Sequence, residues 1–141
     1  MKSNIRIFIK DFRIKNWLEK VVEKLEKLER LKPEQISIVI VGDQGIKTLN
    51  QKYRKKNEVT DVLSFVQSDI EAKYRLTNDQ YLGEIFIDFR QAERQAENIK
   101  DEILNLLVHG YLHLKGYTHD NDKDMTKMKK LTEKIVLKII K

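Results

Sequence analysis

The chain has 141 residues, 40% of them apolar and 35% charged, with a formal net charge of +6. That length and balance suit one soluble globular domain over 1–141, large enough to bury a core without staples. There is no cysteine, which excludes disulfide frameworks and thiolate metal cages. Any metal site must then use histidine and oxygen ligands, as suits a reducing cytosol.

Residues 1–11 lack the apolar stretch of an export signal, and no run approaches the roughly 20 apolar residues that cross a bilayer. The expected location is cytoplasmic, with no membrane partner.

In chain order, Ile5 to Ile9 alternates and is rich in β-branched residues, which predicts a first strand. Asn16 with Glu19 has the spacing of a helix-capping pair. Trp17, Leu18, Val21, Val22, Leu25 and Leu28 then form one apolar stripe of a helix running to about Leu31. The same spacing fits a coiled coil, but about two heptads are too few, and packing on a sheet is the better reading. Pro33 marks a connection. Ile36 to Val41 reads as a second strand, and Asp43 as the cap of a short helix with Ile46, Leu49 and Tyr53 on one face. Val62 to Val66 and Gly83 to Asp88 read as further strands, with the polar stretch 67–80 as a loop or extension between them. The rest is predicted helical: Gln91 to Asn98, Lys100 to Leu114, and a final amphipathic helix over Asp122 to Ile140 with Met125, Met128, Leu131, Ile135 and Ile139 inward. The order implies an α+β fold, a single domain with a mixed sheet of about four strands covered by helices. No linker, repeat or low-complexity tract interrupts it.

All three histidines fall between His109 and His119. His109 and His113 are four apart on the predicted helix, so their imidazoles share a face. Gly116 is expected to end that helix in the left-handed conformation and let the chain bring His119 back toward the pair. Three imidazoles leave one of zinc's four positions to water or substrate, which is the pattern of catalytic rather than structural sites. The arrangement H-x-x-x-H-x-x-G-x-x-H has the ligand spacing of metzincin proteases. Gly110, however, stands where a peptidase carries its glutamate base, and no acid follows before Asp120. The site is zincin-like in geometry without zincin peptidase chemistry. A side chain at position 110 is expected to enter the space beside the metal. The run Asp120 to Asp124 begins like a calcium loop but has Met125 at the glycine position and Leu131 at that of the bidentate acid, so calcium is rejected.

Charge is uneven. Residues 1–60 carry 15 Lys and Arg against 8 Asp and Glu, and 61–141 carry 13 against 14. The densest basic run, Lys52-Tyr53-Arg54-Lys55-Lys56, sits beside an aromatic and suits contact with a phosphate backbone.

The stretch His109-Gly110-Tyr111-Leu112-His113-Leu114-Lys115-Gly116-Tyr117-Thr118-His119 closely resembles the H-G-x-L-H-L-x-G-Y-D-H signature of the YbeY family, metal-dependent endoribonucleases that mature bacterial ribosomal RNA. Leu49 to Phe65, LNQKYRKKNEVTDVLSF, is similar to that family's L-N-x-x-Y-R-x-K-D-x-P-T-D-V-L-S-F segment. Leu82-Gly83-Glu84-Ile85 looks like its L-G-D-I strand, and Met128 with Glu133 fits its C-terminal helix. The resemblance runs from about Ile36 to the C-terminus. Thr118 and Asn57 replace aspartates, Val59 and Val66 stand where prolines are usual, and Glu84 replaces Asp; none of these removes a proposed ligand. The Thr118 change is expected to weaken an outer hydrogen bond to an imidazole, with Asp120 as its substitute.

The resemblance implies a single-strand-specific, metal-dependent endoribonuclease acting in late ribosomal RNA processing, at the 3′ end of the small-subunit rRNA, and in ribosome quality control. Its partners would be single-stranded ribosomal RNA and the small ribosomal subunit with its assembly factors. One Zn2+ per chain is expected on His109, His113 and His119, with Arg54, His109 and His113 catalytic and Lys52, Arg54, Lys55 and Lys56 touching RNA. Arg54 would engage two phosphate oxygens and stabilise the charge of a pentacoordinate transition state more selectively than lysine can. Asp61, Asp120 and Glu84 are all candidates for the general base. Two other readings stand beside this one. A metal-dependent amidase or peptidase is disfavoured by Gly110, and a noncatalytic RNA-binding ribosome assembly factor by the open metal position.

Overall fold

Ile36–Val41 is buried along its whole length, as its run ISIVIV requires of a strand paired on both sides and covered on both faces. The computed structural model describes residues 4–32, 34–66 and 81–140. Their elements in order are β1 (Asn4–Ile7), α1 (Lys15–Glu29), β2 (Ile36–Val41), α2 (Asp43–Arg54), β3 (Val62–Val66), β4 (Gly83–Asp88), α3 (Phe89–Gln95), α4 (Ile99–Leu114) and α5 (Asp122–Ile140). The sheet is four-stranded in the order β1-β2-β4-β3. β1, β2 and β4 are parallel, and β3 runs antiparallel to β4, with Val62 opposite Ile87 and Val66 opposite Gly83. α1 supplies the crossover that the parallel pair β1 and β2 needs.

Alternation along the strands sorts the core into two faces. Ile38, Ile40, Ile85 and Ile87 pack with Leu18, Val22 and Leu25 of α1, with Leu104, Leu107 and Tyr111 of α4, and with Met128, Ile135 and Ile139 of α5. Val39 and Val41 point the other way, onto Ile46 of α2, with Leu63 and Phe86 alongside. The α1 stripe thus lies in the sheet's core, as its length suggested. α4 is apolar round most of its girth, and its packing against β3, β4 and α5 carries its histidine-bearing end to the β3 edge.

The elements depart from the sequence reading in instructive places. β1 ends at Ile7, and Phe8 is 68% exposed. α1 starts at Lys15 behind Ile14, which makes no side-chain cap, so Asn16 lies inside the first turn and does not cap it. Asp43 is the first helical residue of α2, after Gly42. Its carboxylate accepts both Nη groups of Arg94 at 2.7 and 2.9 Å in place of capping. α3 begins two residues before Gln91, because Asp88 caps it through Oδ1, which accepts from the Arg90 and Gln91 amides at 2.9 and 3.3 Å. It stops at Gln95, and Asn98 turns instead to cap α4, accepting from the Asp101 amide at 3.1 Å. On α5, Met125 is 53% exposed and not inward. Thr132 is buried on that helix, its hydroxyl proton given to the Met128 carbonyl at 2.8 Å. The connection read at Pro33 and the segment 67–80 lie outside the described residues. Among those described, no helix is long and apolar enough to cross a membrane.

Candidate metal centre

The last turns of α4 carry His109 and His113 on one face, and the chain then reverses. Gly116 adopts φ +101° and donates its amide to the His113 carbonyl at 3.0 Å, and the Tyr117 amide bonds Leu112 O at 3.0 Å. A side chain at residue 116 would be strained in that conformation. The reversal returns His119, and one ring nitrogen from each of the three histidines falls within 4.8 Å of the others. The Tyr117 carbonyl lies 3.0 Å from His113 Nδ1 and accepts its proton, which leaves the Nε2 lone pair facing inward, 3.1 Å from His109 Nε2. Nitrogen donors on a tetrahedral zinc, bonded at ~2.05 Å, sit ~3.3 Å apart. The His109–His113 pair matches that spacing, and the three-histidine set could hold one metal ion.

The electrostatics favour the same state. Burial, reinforced by the charges of His113 and His119 and opposed by Asp61, holds His109 down at about 4. Burial and His119 also lower His113, against the Tyr117 carbonyl and Asp120. Neutral imidazole is the ligand form, so His109 and His113 are ready for a metal at neutral pH.

Arg54 closes α2. Lys55 behind it takes the left-handed conformation at φ 58°, and the Lys56 amide reaches back to Asn50 O at 3.2 Å. The buried Asn50 side chain donates to Glu58 O at 3.1 Å, pinning the segment that follows. Asn50 was not singled out from sequence; a polar residue among the apolar positions of α2 was its signal. Arg54 Nη2 donates to Ser64 O at 3.1 Å, and the guanidinium lies 4.8 Å over the Phe65 ring. So fixed, it lines a hollow of about 560 Å3 together with Thr60, Asp61, His109, His113 and His119. Lys52, Lys55 and Lys56 are exposed and do not line it, and the Lys52 ammonium sits 5.2 Å over the Tyr53 ring.

Of the three candidate bases, Asp61 lines this hollow and the neighbouring one. Gln95 Nε2 bridges Asp61 Oδ2 at 2.9 Å and Glu102 Oε2 at 2.6 Å. Asp120 is exposed and acts on His113 by charge alone, while Glu84 is on β4, its pKa raised by burial. Thr118 Oγ1 donates to Asp124 Oδ2 at 3.3 Å, and the Tyr117 carbonyl serves as the outer partner of His113. Asn121 Oδ1 accepts the Asp124 amide at 2.9 Å, so the acid-rich run caps α5.

Gly110 corrects an expectation. A Cβ there would meet Ile85 Cγ2 at 2.7 Å and Val62 Cγ2 at 3.5 Å, so the position faces the sheet and not the metal. The sequence reading also missed Asp88, fully buried at the end of β4, whose Oδ2 has no donor. Burial, then a hydrogen bond with Asp43, raises its pKa; two carboxyl groups can share a bond only if one keeps its proton, and Arg94 holds Asp43 ionised.

The comparisons agree on kinship. A family model described as Endoribonuclease YbeY matches residues 2–140. A protein of that name from Phytoplasma australiense is 40% identical over 132 residues, 91% of this chain and 89% of the relative. One from Sulfurihydrogenibium sp. is 40% identical over 131 residues, 89% of this chain and 83% of its own. The solution structure of TM1509 from Thermotoga maritima superposes with a TM-score of 0.64 at 28% identity, over 97% of this chain and 88% of that one. With its mixed four-stranded sheet, its three-histidine cluster and both long motifs, the chain belongs to the YbeY endoribonuclease family.

Proposed function

We propose that this protein is a zinc-dependent endoribonuclease that cuts single-stranded ribosomal RNA in the cytoplasm. It would act in late processing of the small-subunit rRNA 3′ end and in ribosome quality control, beside the small subunit and its assembly factors. One observation carries the reading: three imidazoles, two of them kept neutral by burial, and one guanidinium line the same hollow. His109, His113 and His119 would hold one zinc ion per chain, which when bound supplies Lewis acidity toward water or a phosphate oxygen.

The chain's own groups do the rest. Arg54, steadied by Ser64 O and the Phe65 ring, engages the scissile phosphate and offsets the charge gained as phosphorus becomes pentacoordinate. Asp61, the candidate base that lines the hollow, takes the proton of the attacking group. The Tyr117 carbonyl fixes the His113 ring and its tautomer. Lys52, Lys55 and Lys56, exposed at the end of α2, meet flanking phosphates of the strand. The amidase or peptidase reading loses ground, because position 110 faces Ile85 and offers no place for its base.

The test pairs a single-stranded RNA spanning the small-subunit 3′ end with its own duplex. Cleavage of the single strand that a chelator stops and zinc restores is expected. Equal cutting of the duplex, or cutting that survives chelation, would overturn the proposal.

A further inference from the structure

A second hollow, of about 750 Å3, opens between α4 and α5 and shares Asp61, Val62, His109 and His119 with the Arg54 hollow. Its size is that of a small-molecule site. A strand whose phosphate lies at the histidines has its neighbouring group within reach of this space. Val62, Leu106, Met125 and Met128 give it apolar walls, Met125 while 53% exposed. Its charges are Asp61, Glu102, Asp122 and Glu133 against Lys129. A phosphodiester is repelled by that balance and drawn toward Arg54. A nucleobase is uncharged, apolar on its faces and polar at its edge, and suits such walls.

Hydrogen-bond bookkeeping narrows the choice of base. The Thr126 hydroxyl donates to Asp122 O at 2.9 Å and the Thr132 hydroxyl to Met128 O at 2.8 Å. Asn105 Nδ2 gives one of its two protons to Asp101 O at 3.1 Å, which leaves Oδ1 as an acceptor beside a single N–H. Apart from Lys129 and the two histidines, the side chains lining this hollow therefore present mainly acceptors. Carboxylate and amide oxygens accept from the exocyclic amine of cytosine or adenine, whereas uracil offers a carbonyl at the same edge. An acceptor facing that carbonyl makes no hydrogen bond with it, so the amine-bearing base gains a contact that uracil lacks.

We infer that the hollow between α4 and α5 seats one base flanking the scissile phosphate and selects a base with an exocyclic amine over uracil. Asn105 and Glu133 read that edge, and Met125 lies against the ring. The inference rests on the endoribonuclease reading.

Two measurements on the zinc-loaded full chain test it. The first follows backbone amide resonances during titration with cytidine or uridine 5′-monophosphate. Cytidine monophosphate should shift Leu106, Met125 and Lys129 at concentrations where the uridine nucleotide gives roughly a tenth of the effect. Asn105→Ala with Glu133→Ala, both at exposed positions, should erase the difference. Equal shifts for the two nucleotides, or none on α4 and α5, would overturn the base site whatever the RNA assay gives. The second maps cut sites in single-stranded RNA of randomised sequence. An amine-bearing base should be enriched about tenfold over uracil at one position beside the cut, falling to about twofold in the double variant at unchanged zinc content. A flat wild-type profile would overturn the inference and leave the endoribonuclease reading standing. No cleavage with the selective shifts intact would remove that reading and keep the base site.

Discussion

The Tyr117 carbonyl holds His113 by Nδ1 at 3.0 Å and so turns the opposite nitrogen to within 3.1 Å of His109 Nε2. Without metal, His109 Nε2–H can donate to the His113 lone pair; a cation takes the place of that proton and engages both lone pairs at once, and burial disfavours the charged imidazolium that would compete with it. Purified protein should therefore carry about one zinc per chain by elemental analysis. His113→Ala should weaken zinc binding by more than about tenfold. Unchanged metal content in that variant would mean the three histidines do not act as one ligand set.

Removing the guanidinium separates rate from structure. Arg54→Ala should keep the fold and the zinc and lose roughly 2 to 4 kcal/mol of transition-state stabilisation. Single-turnover cleavage at matched metal content measures it, and Arg54→Lys should recover only part, since an ammonium cannot fork. Wild-type rates in Arg54→Ala would reduce the residue to a brace for Ser64.

Gly110 is a packing position. Gly110→Ala forces a methyl group against Ile85 and should cost about 1 to 3 kcal/mol in urea denaturation. Gly110→Glu should cost more, because it drives a carboxylate toward the sheet with no partner there. A stable Gly110→Glu that hydrolyses casein would restore the peptidase reading.

Acid titration should reveal two opposed groups. Asp88, ordinarily at 3.8, is raised in the fold by burial and by Asp43. The folded chain thus keeps a proton that the unfolded chain loses, and this contribution is present in acid and disappears as pH rises through the folded value. His109 runs the other way. Held at about 4 against an ordinary 6.5, it resists a proton that the unfolded chain accepts, so stability falls as pH drops between those values. Asp88→Asn can still cap Arg90 and Gln91 while removing the first group. In metal-free protein, this variant should gain at least about 1 kcal/mol over wild type at pH 8 and then lose stability more steeply toward pH 4.5. Superimposable stability profiles would show that Asp88 titrates as an ordinary surface acid.

The histidine cage was legible because its parts are local: a four-residue spacing on a helix and a glycine that reverses the chain. The interior strands could be read for the same reason, since ISIVIV announces burial on both faces. What was not legible depended on how elements lie against one another. Asp88 ends a strand and caps the next helix at once, so a scan for either signal alone passes it by. The direction of Gly110 follows from α4 resting on Ile85 of β4, a contact no local pattern encodes. Of the basic run, only Arg54 lines the histidine hollow, because Ser64 and Phe65 of β3 draw it there. The lysines follow the helix end outward.

This division gives the two halves of the site different durability. The three imidazoles come from one helix end and its reversal, a set of short-range contacts whose closure costs little chain entropy. Arg54 depends on β3, which among the described residues is paired on one side only, at the rim of the sheet. Fraying of that rim would release the guanidinium and leave the three-histidine cluster in place. On the proposed function, a preparation could then hold its metal and still fail to cleave, and the difference would lie in the integrity of a five-residue strand.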